Sequence, residues 1–166
     1  MIRFIFTVVL VCLPSVCFAD GKLERCAPYR ARVEEILAES GVSKRFYFLM
    51  VAESGCASPS VTSDKGARGF WQLMPHTARR FGCKDTQDLD CSTRAAAAYI
   101  KDLSARFDHD FKWTIAAYNA GGHNLKRVTG YRKGMKFSEV RKKRPQAFWL
   151  AKKVLRLERE SNKMEK

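Results

Sequence analysis

The sequence predicts a single, mostly α-helical domain, and three observations carry that expectation. Apolar residues recur at helical spacing, i, i+3, i+4 and i+7, over most of the chain. No run shows sustained apolar and polar alternation bounded by hairpin turns. The composition, 46% hydrophobic and 29% charged over 166 residues, excludes disorder and collagen-like repeats and suits one modest globular domain.

The elements follow in order. Residues 1–19 read as an export signal: Arg3 supplies the charge, Phe4 to Val16 the apolar run, and Ala19 a small residue for cleavage. Roughly fifteen apolar residues fall short of the about twenty that a membrane span needs, so cleavage is favoured over an anchor, and the mature chain begins at Asp20. Neither Cys12 nor Cys17 follows the small-residue pair expected before a lipidated cysteine, and both leave with the signal. No later stretch is apolar enough to span a membrane.

The first mature helix is expected from Pro28, with Tyr29, Val33, Ile36 and Leu37 on one face and Gly41 as a left-handed stop. A second follows Ser43 and carries Phe46, Leu49, Met50 and Glu53. Gly55, Gly66 and Gly69, with Ser and Pro between them, make residues 55–72 a loop returning across the end of that helix. Pro75 opens a short helix that Gly82 stops. Ser92 or Thr93 then caps a helix whose core face is Ala96, Tyr99, Ile100, Leu103 and Phe107. Phe111 to Asn119 form another, ended by Gly121 and Gly122. A last amphipathic helix from Pro145 carries Ala147, Leu150, Ala151, Val154 and Leu157.

Four mature cysteines remain, Cys26, Cys56, Cys83 and Cys91, an even number in an oxidising compartment. They allow three pairings. The short loop from Lys84 to Asp90 favours Cys83 with Cys91, which leaves Cys26 with Cys56; reduced, buried cysteines are the alternative. A zinc site is disfavoured, because there is no C-x-x-C and the three histidines, His76, His109 and His123, are scattered.

The formal charge of +14 is uneven. Residues 124–166 hold 15 Lys+Arg against 4 Asp+Glu, whereas residues 20–123 hold 15 against 13. The densest run is Arg141, Lys142, Lys143 and Arg144. This places a nearly neutral body at 20–130 before a basic helical extension at 131–166 that packs on it.

Glu53 is the most informative residue. Helical spacing puts it on the apolar face of Phe46, Leu49 and Met50, where a carboxylate is poorly solvated. Desolvation raises a carboxyl pKa, which keeps the acid protonated near neutral pH and able to protonate a leaving oxygen. A solvated Glu at a frayed helix end is the plainer reading of the same periodicity.

Three separated motifs extend this reading: Glu53-Ser54-Gly55-Cys56, then Ser63 to Ala78 with its Gly69-Phe70-Trp71-Gln72-Leu73-Met74-Pro75 centre, then Ala116-Ala117-Tyr118-Asn119-Ala120-Gly121. Together they resemble the soluble lytic transglycosylase (SLT) domain, closest to the membrane-bound lytic transglycosylase D branch. The resemblance runs from about Phe46 to Val128 and implies a goose-lysozyme-like fold with a substrate groove. It also implies cleavage of the β-1,4 bond between N-acetylmuramic acid and N-acetylglucosamine in peptidoglycan, with a 1,6-anhydromuramoyl product. Glu53 matches the family's single catalytic acid, which then acts as base. Ser63 matches a loop serine near the reacting sugar, Gln72 and Met74 match groove positions, Tyr118 matches the tyrosine that orients the acetamido group, and Asn119 matches the Asn of the same turn. Trp71 offers apolar surface to a sugar face or, equally, to the core. Gly66 and Gly69 read as backbone needs of a tight loop.

No metal or organic cofactor is required by such a step. The expected partner is the peptidoglycan glycan strand, in the periplasm or outside the cell. In size the chain resembles short enzymes that open gaps for secretion or conjugation machinery, and its basic segment reads as a docking element for such machinery or for an anionic envelope polymer; an export signal makes nucleic acid an unexpected partner. Two rival readings remain: a lysozyme-like muramidase using Asp64, Asp108 or Asp110 as a second carboxylate, and a non-catalytic basic envelope-binding protein.

Overall fold

The structure, a computed structural model, describes residues 21–166. The export signal and Cys12 and Cys17 lie outside the described residues. The described chain opens with α1 (Lys22–Cys26), a 3-10 turn (Ala27–Tyr29) and α2 (Arg30–Glu39). Helix therefore begins six residues before Pro28, and Pro28 sits inside the tight turn joining α1 to α2. Gly41 adopts φ 69°, the left-handed conformation expected of the stop.

A second 3-10 turn (Lys44–Phe46) leads into α3 (Tyr47–Glu53), and the Ser43 hydroxyl accepts a hydrogen bond from the Arg45 amide at the turn's start. Every residue from Tyr47 to Ala52 is buried. A helix apolar on all sides must be enclosed, and here α1, α2 and the C-terminal helix pack around it. Full burial of side chains such as Leu49 and Met50 contributes about 1.5–3 kcal/mol each.

Residues 55–72 form the expected loop, pinched by antiparallel bridges between Thr62 and Arg68 and between Arg68 and Leu73. It feeds α4 (Pro75–Arg80), after which Gly82 takes φ 85°. The next helix, α5 (Leu89–Arg106), begins earlier than the Ser92 or Thr93 cap expected from sequence. Asp88 is the cap, its carboxylate accepting from the Cys91 amide at 2.6 Å. Ser92 and Thr93 are wholly buried instead, and the Ser92 hydroxyl turns back to the carbonyl of Asp88 at 2.7 Å.

Asp110 caps α6 (Phe111–Ala120), accepting from the amides of Lys112 and Trp113. The pair Gly121-Gly122 ends α6 but also starts α7 (Gly122–Thr129), a helix not anticipated from sequence. Gly122 lies so close to α5 that a Cβ there would stand 2.6 Å from Leu103 Cδ2, so this glycine serves helix packing. After α8 (Ser138–Lys143), Pro145 begins α9 (Pro145–Met164) as expected. Ala147, Ala151, Val154 and Leu157 are buried, and Leu150 is partly buried against the same core. Helix α9 packs on α3, α6 and α8.

Both favoured disulfides are formed. Cys26–Cys56 ties the end of α1 to the loop after α3, and Cys83–Cys91 closes the loop into α5.

Candidate active site

The architecture ends α3 at Glu53 and immediately reverses the chain. Gly55 and Cys56 both adopt left-handed backbone, with φ 57° and 51°. Three contacts fix the reversal from the α1 side: the Cys26–Cys56 disulfide, the Arg25 Nε hydrogen bond to the Gly55 carbonyl at 3.1 Å, and the Lys22 stem packed where a Gly55 side chain would go. From the other side, Lys153 of α9 donates its ammonium to the Ala52 carbonyl at 3.0 Å, occupying one of the acceptors exposed at a helix C-terminus.

Glu53 thereby faces a cleft of about 650 Å³. All six residues expected to act there line it: Glu53, Ser63, Gln72, Met74, Tyr118 and Asn119. The Glu53 carboxyl is pushed up to about 7, chiefly because burial disfavours its charged form, with the Lys153 ammonium acting in the opposite direction. A carboxyl group near neutrality is poised both to give and to take a proton. Among the described residues lining the cleft, Glu53 is the one carboxylate.

The hydrogen bonds restrict what each neighbour can do. Tyr118 donates its hydroxyl proton to the Trp71 carbonyl at 2.8 Å, and burial, reinforced by the Glu53 and Tyr99 charges, holds its pKa well above the ordinary phenol value. Its oxygen therefore meets a ligand as an acceptor. The Gln72 amide nitrogen is committed to the carbonyls of Gly69 at 2.9 Å and Val61 at 3.2 Å, which leaves the side-chain oxygen as its remaining function. Gln72 thus pins the loop as well as lining the cleft, with its own backbone at φ 48°. The Ser63 hydroxyl accepts from the Ala67 amide at 3.1 Å and retains its proton for donation. Asn119 is exposed at the cleft edge, and Met74 presents a partly buried thioether.

Trp71 belongs to the core. It is 0% exposed, and its indole N–H donates to the Thr93 hydroxyl at 2.9 Å, so its ring is packed away from the cleft while its backbone carbonyl holds the Tyr118 hydroxyl. The other carboxylates weighed from sequence stand elsewhere. Asp110 caps the far end of α6, roughly 12 Å along the helix from Tyr118 at 1.5 Å per residue. Asp108 accepts from the Tyr131 hydroxyl at 2.9 Å, and Asp64 is exposed and outside the lining. No group of three or more His, Cys, Asp or Glu among the described residues is arranged to hold a metal ion.

Several lining residues escaped the sequence reading. Asn124, Lys143, Arg144, Pro145 and Gln146 come from α7 and from the junction of α8 and α9, and Lys65 from the loop. The basic run therefore reaches the cleft.

The family model described as the transglycosylase SLT domain matches residues 34–140. The chain is 33% identical over 103 residues to membrane-bound lytic murein transglycosylase D of Escherichia coli strain K12, covering 58% of this chain and 23% of that protein. It is 26% identical over 114 residues to membrane-bound lytic murein transglycosylase F of Pseudomonas syringae pv. syringae, covering 65% of this chain and 23% of the relative. The chain thus spans about a quarter of the length of these relatives. An inactive mutant of the lytic transglycosylase Slt from Pseudomonas aeruginosa superposes with a TM-score of 0.69 at 22% identity, over 84% of this chain and 25% of that one, which shows the shared lysozyme-like fold. With more than half of its residues inside the family match, and with that fold around the cleft, the chain belongs to the transglycosylase SLT domain family.

Proposed function

We propose that the protein is a peptidoglycan lytic transglycosylase, with Glu53 as acid and then base. The observation that carries this reading is a single carboxyl group of raised pKa in a cleft otherwise lined by neutral and cationic residues. A hydrolase with two carboxylates would need a second acid across the cleft, about 5–9.5 Å from the first. None of the lining residues supplies it.

The chemistry balances without water. The Glu53 carboxyl donates its proton to the glycosidic oxygen as the bond from C1 of N-acetylmuramic acid to that oxygen breaks, releasing the N-acetylglucosamine 4-hydroxyl. The substrate's own acetamido oxygen stabilises the electron-poor C1. The C6 hydroxyl then attacks C1, and its proton passes to the Glu53 carboxylate, restoring the acid and closing the 1,6-anhydro ring. Intramolecular attack needs only the correct ring geometry. Tyr118 accepts the acetamido N–H, because its own proton is held by the Trp71 carbonyl. The Ser63 hydroxyl donates to the reacting sugar, Met74 offers an apolar face to it, and the carbonyl oxygens of Gln72 and Asn119 accept from its hydroxyls.

Mass spectrometry of purified sacculi digested by the protein tests the reading. Anhydromuropeptides that resist borohydride reduction are the expected product, and fully reducible ends would establish a hydrolytic muramidase instead.

Activity requires protonated Glu53, so the rate should fall as pH rises through about 7. Lys153→Met removes the positive charge that lowers the Glu53 pKa, and the alkaline limb of the pH–rate profile should move upward. An unmoved limb in a variant with unchanged melting temperature would remove Lys153 from this role.

The two disulfides suit an oxidising location such as the periplasm, and none of the described helices is long and apolar enough to cross a membrane. Outside the cleft, the basic surface of α8 and α9 suits docking to an anionic envelope polymer or to secretion or conjugation machinery.

A further inference from the structure

The cleft lining combines two chemistries. Gln72, Met74, Tyr118 and Asn119 are neutral, whereas Lys65, Lys143 and Arg144 bring three cations to the same space. Many basic residues elsewhere are already engaged: Arg45 with Glu158 at 2.6 Å, Lys142 with Glu139 at 3.0 Å, Arg106 with Asp102 at 2.8 Å. Lys65 and Lys143 have no acidic partner among the described residues, and both are exposed. Arg144 donates Nη2 to the Asn124 side-chain oxygen at 3.0 Å, while its Nε is buried with no hydrogen-bond partner among the described residues. A buried guanidinium N–H is normally satisfied, so this N–H remains available to an acceptor.

The backbone adds to the same field. Arg144 and Pro145 start α9, a helix of 20 residues with no side-chain cap. By helix geometry, the amides of Gln146 and Ala147 have no intrahelical acceptor, and both residues line the cleft. The N-terminal end of a long helix favours an anion. Lys143, Arg144 and the α9 terminus thus coincide on one wall, and Lys65 lines the same space from the loop.

We propose that this wall is a carboxylate subsite that holds the anionic arm of an N-acetylmuramic acid residue. The inference rests on the peptidoglycan reading of the cleft. N-acetylmuramic acid differs from N-acetylglucosamine by a lactyl arm, and that arm ends either in a free carboxylate or in a stem peptide bearing carboxylates of its own. A neutral cleft could tell the two sugars apart only by shape and hydrogen bonding. A cationic wall selects the muramyl residue, and so sets which sugar stands beside Glu53.

Binding to the non-cleaving Glu53→Gln protein tests this by titration calorimetry with three ligands: peptide-bearing glycan oligomers, amidase-stripped oligomers with free lactyl groups, and neutral chitooligosaccharides. Lys65→Gln with Lys143→Gln changes two exposed side chains and should leave the melting temperature unchanged. It should weaken both anionic ligands about tenfold at low salt and leave chitooligosaccharide affinity unaltered. Arg144→Gln should weaken them further, with partial rescue by Arg144→Lys. Retained preference for the stripped oligomers identifies the lactyl carboxylate, and preference confined to the peptide-bearing ones identifies the stem peptide. Equal losses on all three ligands, or no loss on the anionic two, would overturn the subsite. Cleavage by the Glu53-containing protein is scored separately: charge-selective binding without anhydro products would sink the transglycosylase reading and leave the subsite standing.

Discussion

Glu53→Gln should reduce strand cleavage by on the order of 10²–10⁴-fold, the usual contribution of a positioned acid and base, while making the protein more stable at alkaline pH. The two effects share one cause. Burial raises the Glu53 pKa from 4.5 to about 7. Below about pH 4.5 the carboxyl is protonated in both folded and unfolded chains. Between these values the folded state binds the extra proton, so stability falls as pH rises, and above 7 the penalty for burying the charge is fully expressed. A displacement of that size corresponds to roughly 3 kcal/mol. Glutamine keeps the shape without the charge. Melting temperatures of the two proteins should therefore differ most at pH 8 to 9 and converge near pH 4. Residual cleavage close to that of the parent would eliminate Glu53 as the acid; a stability gap independent of pH would show that its carboxylate is not buried in the manner described.

Gly69→Ala should be the most damaging single-carbon change in the cleft loop. Gly69 stands at φ 73°, and a Cβ there would lie 2.0 Å from the Thr86 backbone carbonyl oxygen. Backbone cannot swing aside as a flexible side chain can, so the loop or the turn before α5 must move. Gly69 also donates its amide to the Val61 carbonyl at 3.0 Å and accepts from Gln72, so the displacement spreads to Ser63, Gln72 and Met74. A loss of about 3 kcal/mol of stability is expected, together with most of the activity. Gly66→Ala is the control. It too has a positive φ, 83°, but no heavy atom lies within 4 Å of its would-be Cβ, so only the conformational penalty of about 1 kcal/mol applies. Denaturant midpoints compare the two, and equal losses would show that the Thr86 approach is not what Gly69 is for.

Glu53 was legible from helical periodicity, which sets an acid on the apolar face of Phe46, Leu49 and Met50. Ser63, Gln72, Met74, Tyr118 and Asn119 came from the resemblance of three short motifs to the SLT domain, and no local periodicity singles them out. The cationic wall had no such signal. Lys153 reaches the Ala52 carbonyl from 101 positions away, and Arg144 meets Asn124 from 20. Lys143 and Arg144 looked like part of a solvated basic run because their neighbours Arg141 and Lys142 are just that. Which members of the run enter the cleft depends on where α8 stops, and α8 and α7 were themselves unread. Glycines suggested only a stop at Gly121-Gly122, yet Gly122 also begins α7 because it can press against Leu103.

The sequence by itself determined the helical class, the central apolar helix ending in Glu53 and the loop that follows it, and it favoured, without fixing, the disulfide pairing that the structure forms. These are local consequences of periodicity, of backbone freedom at Gly41 and Gly82, and of the short span from Cys83 to Cys91. Only the tertiary structure decided that Trp71 is core, that Asp88 caps α5, and that Tyr118 offers its oxygen and not its proton. It also decided that α9 carries Lys153 to the end of α3 and sets its own N-terminus, beside Lys143 and Arg144, on the cleft. The physical reason is that hydrogen-bond direction, burial and electric field depend on which groups become neighbours in space, and helical periodicity fixes a residue's face without naming what that face will meet.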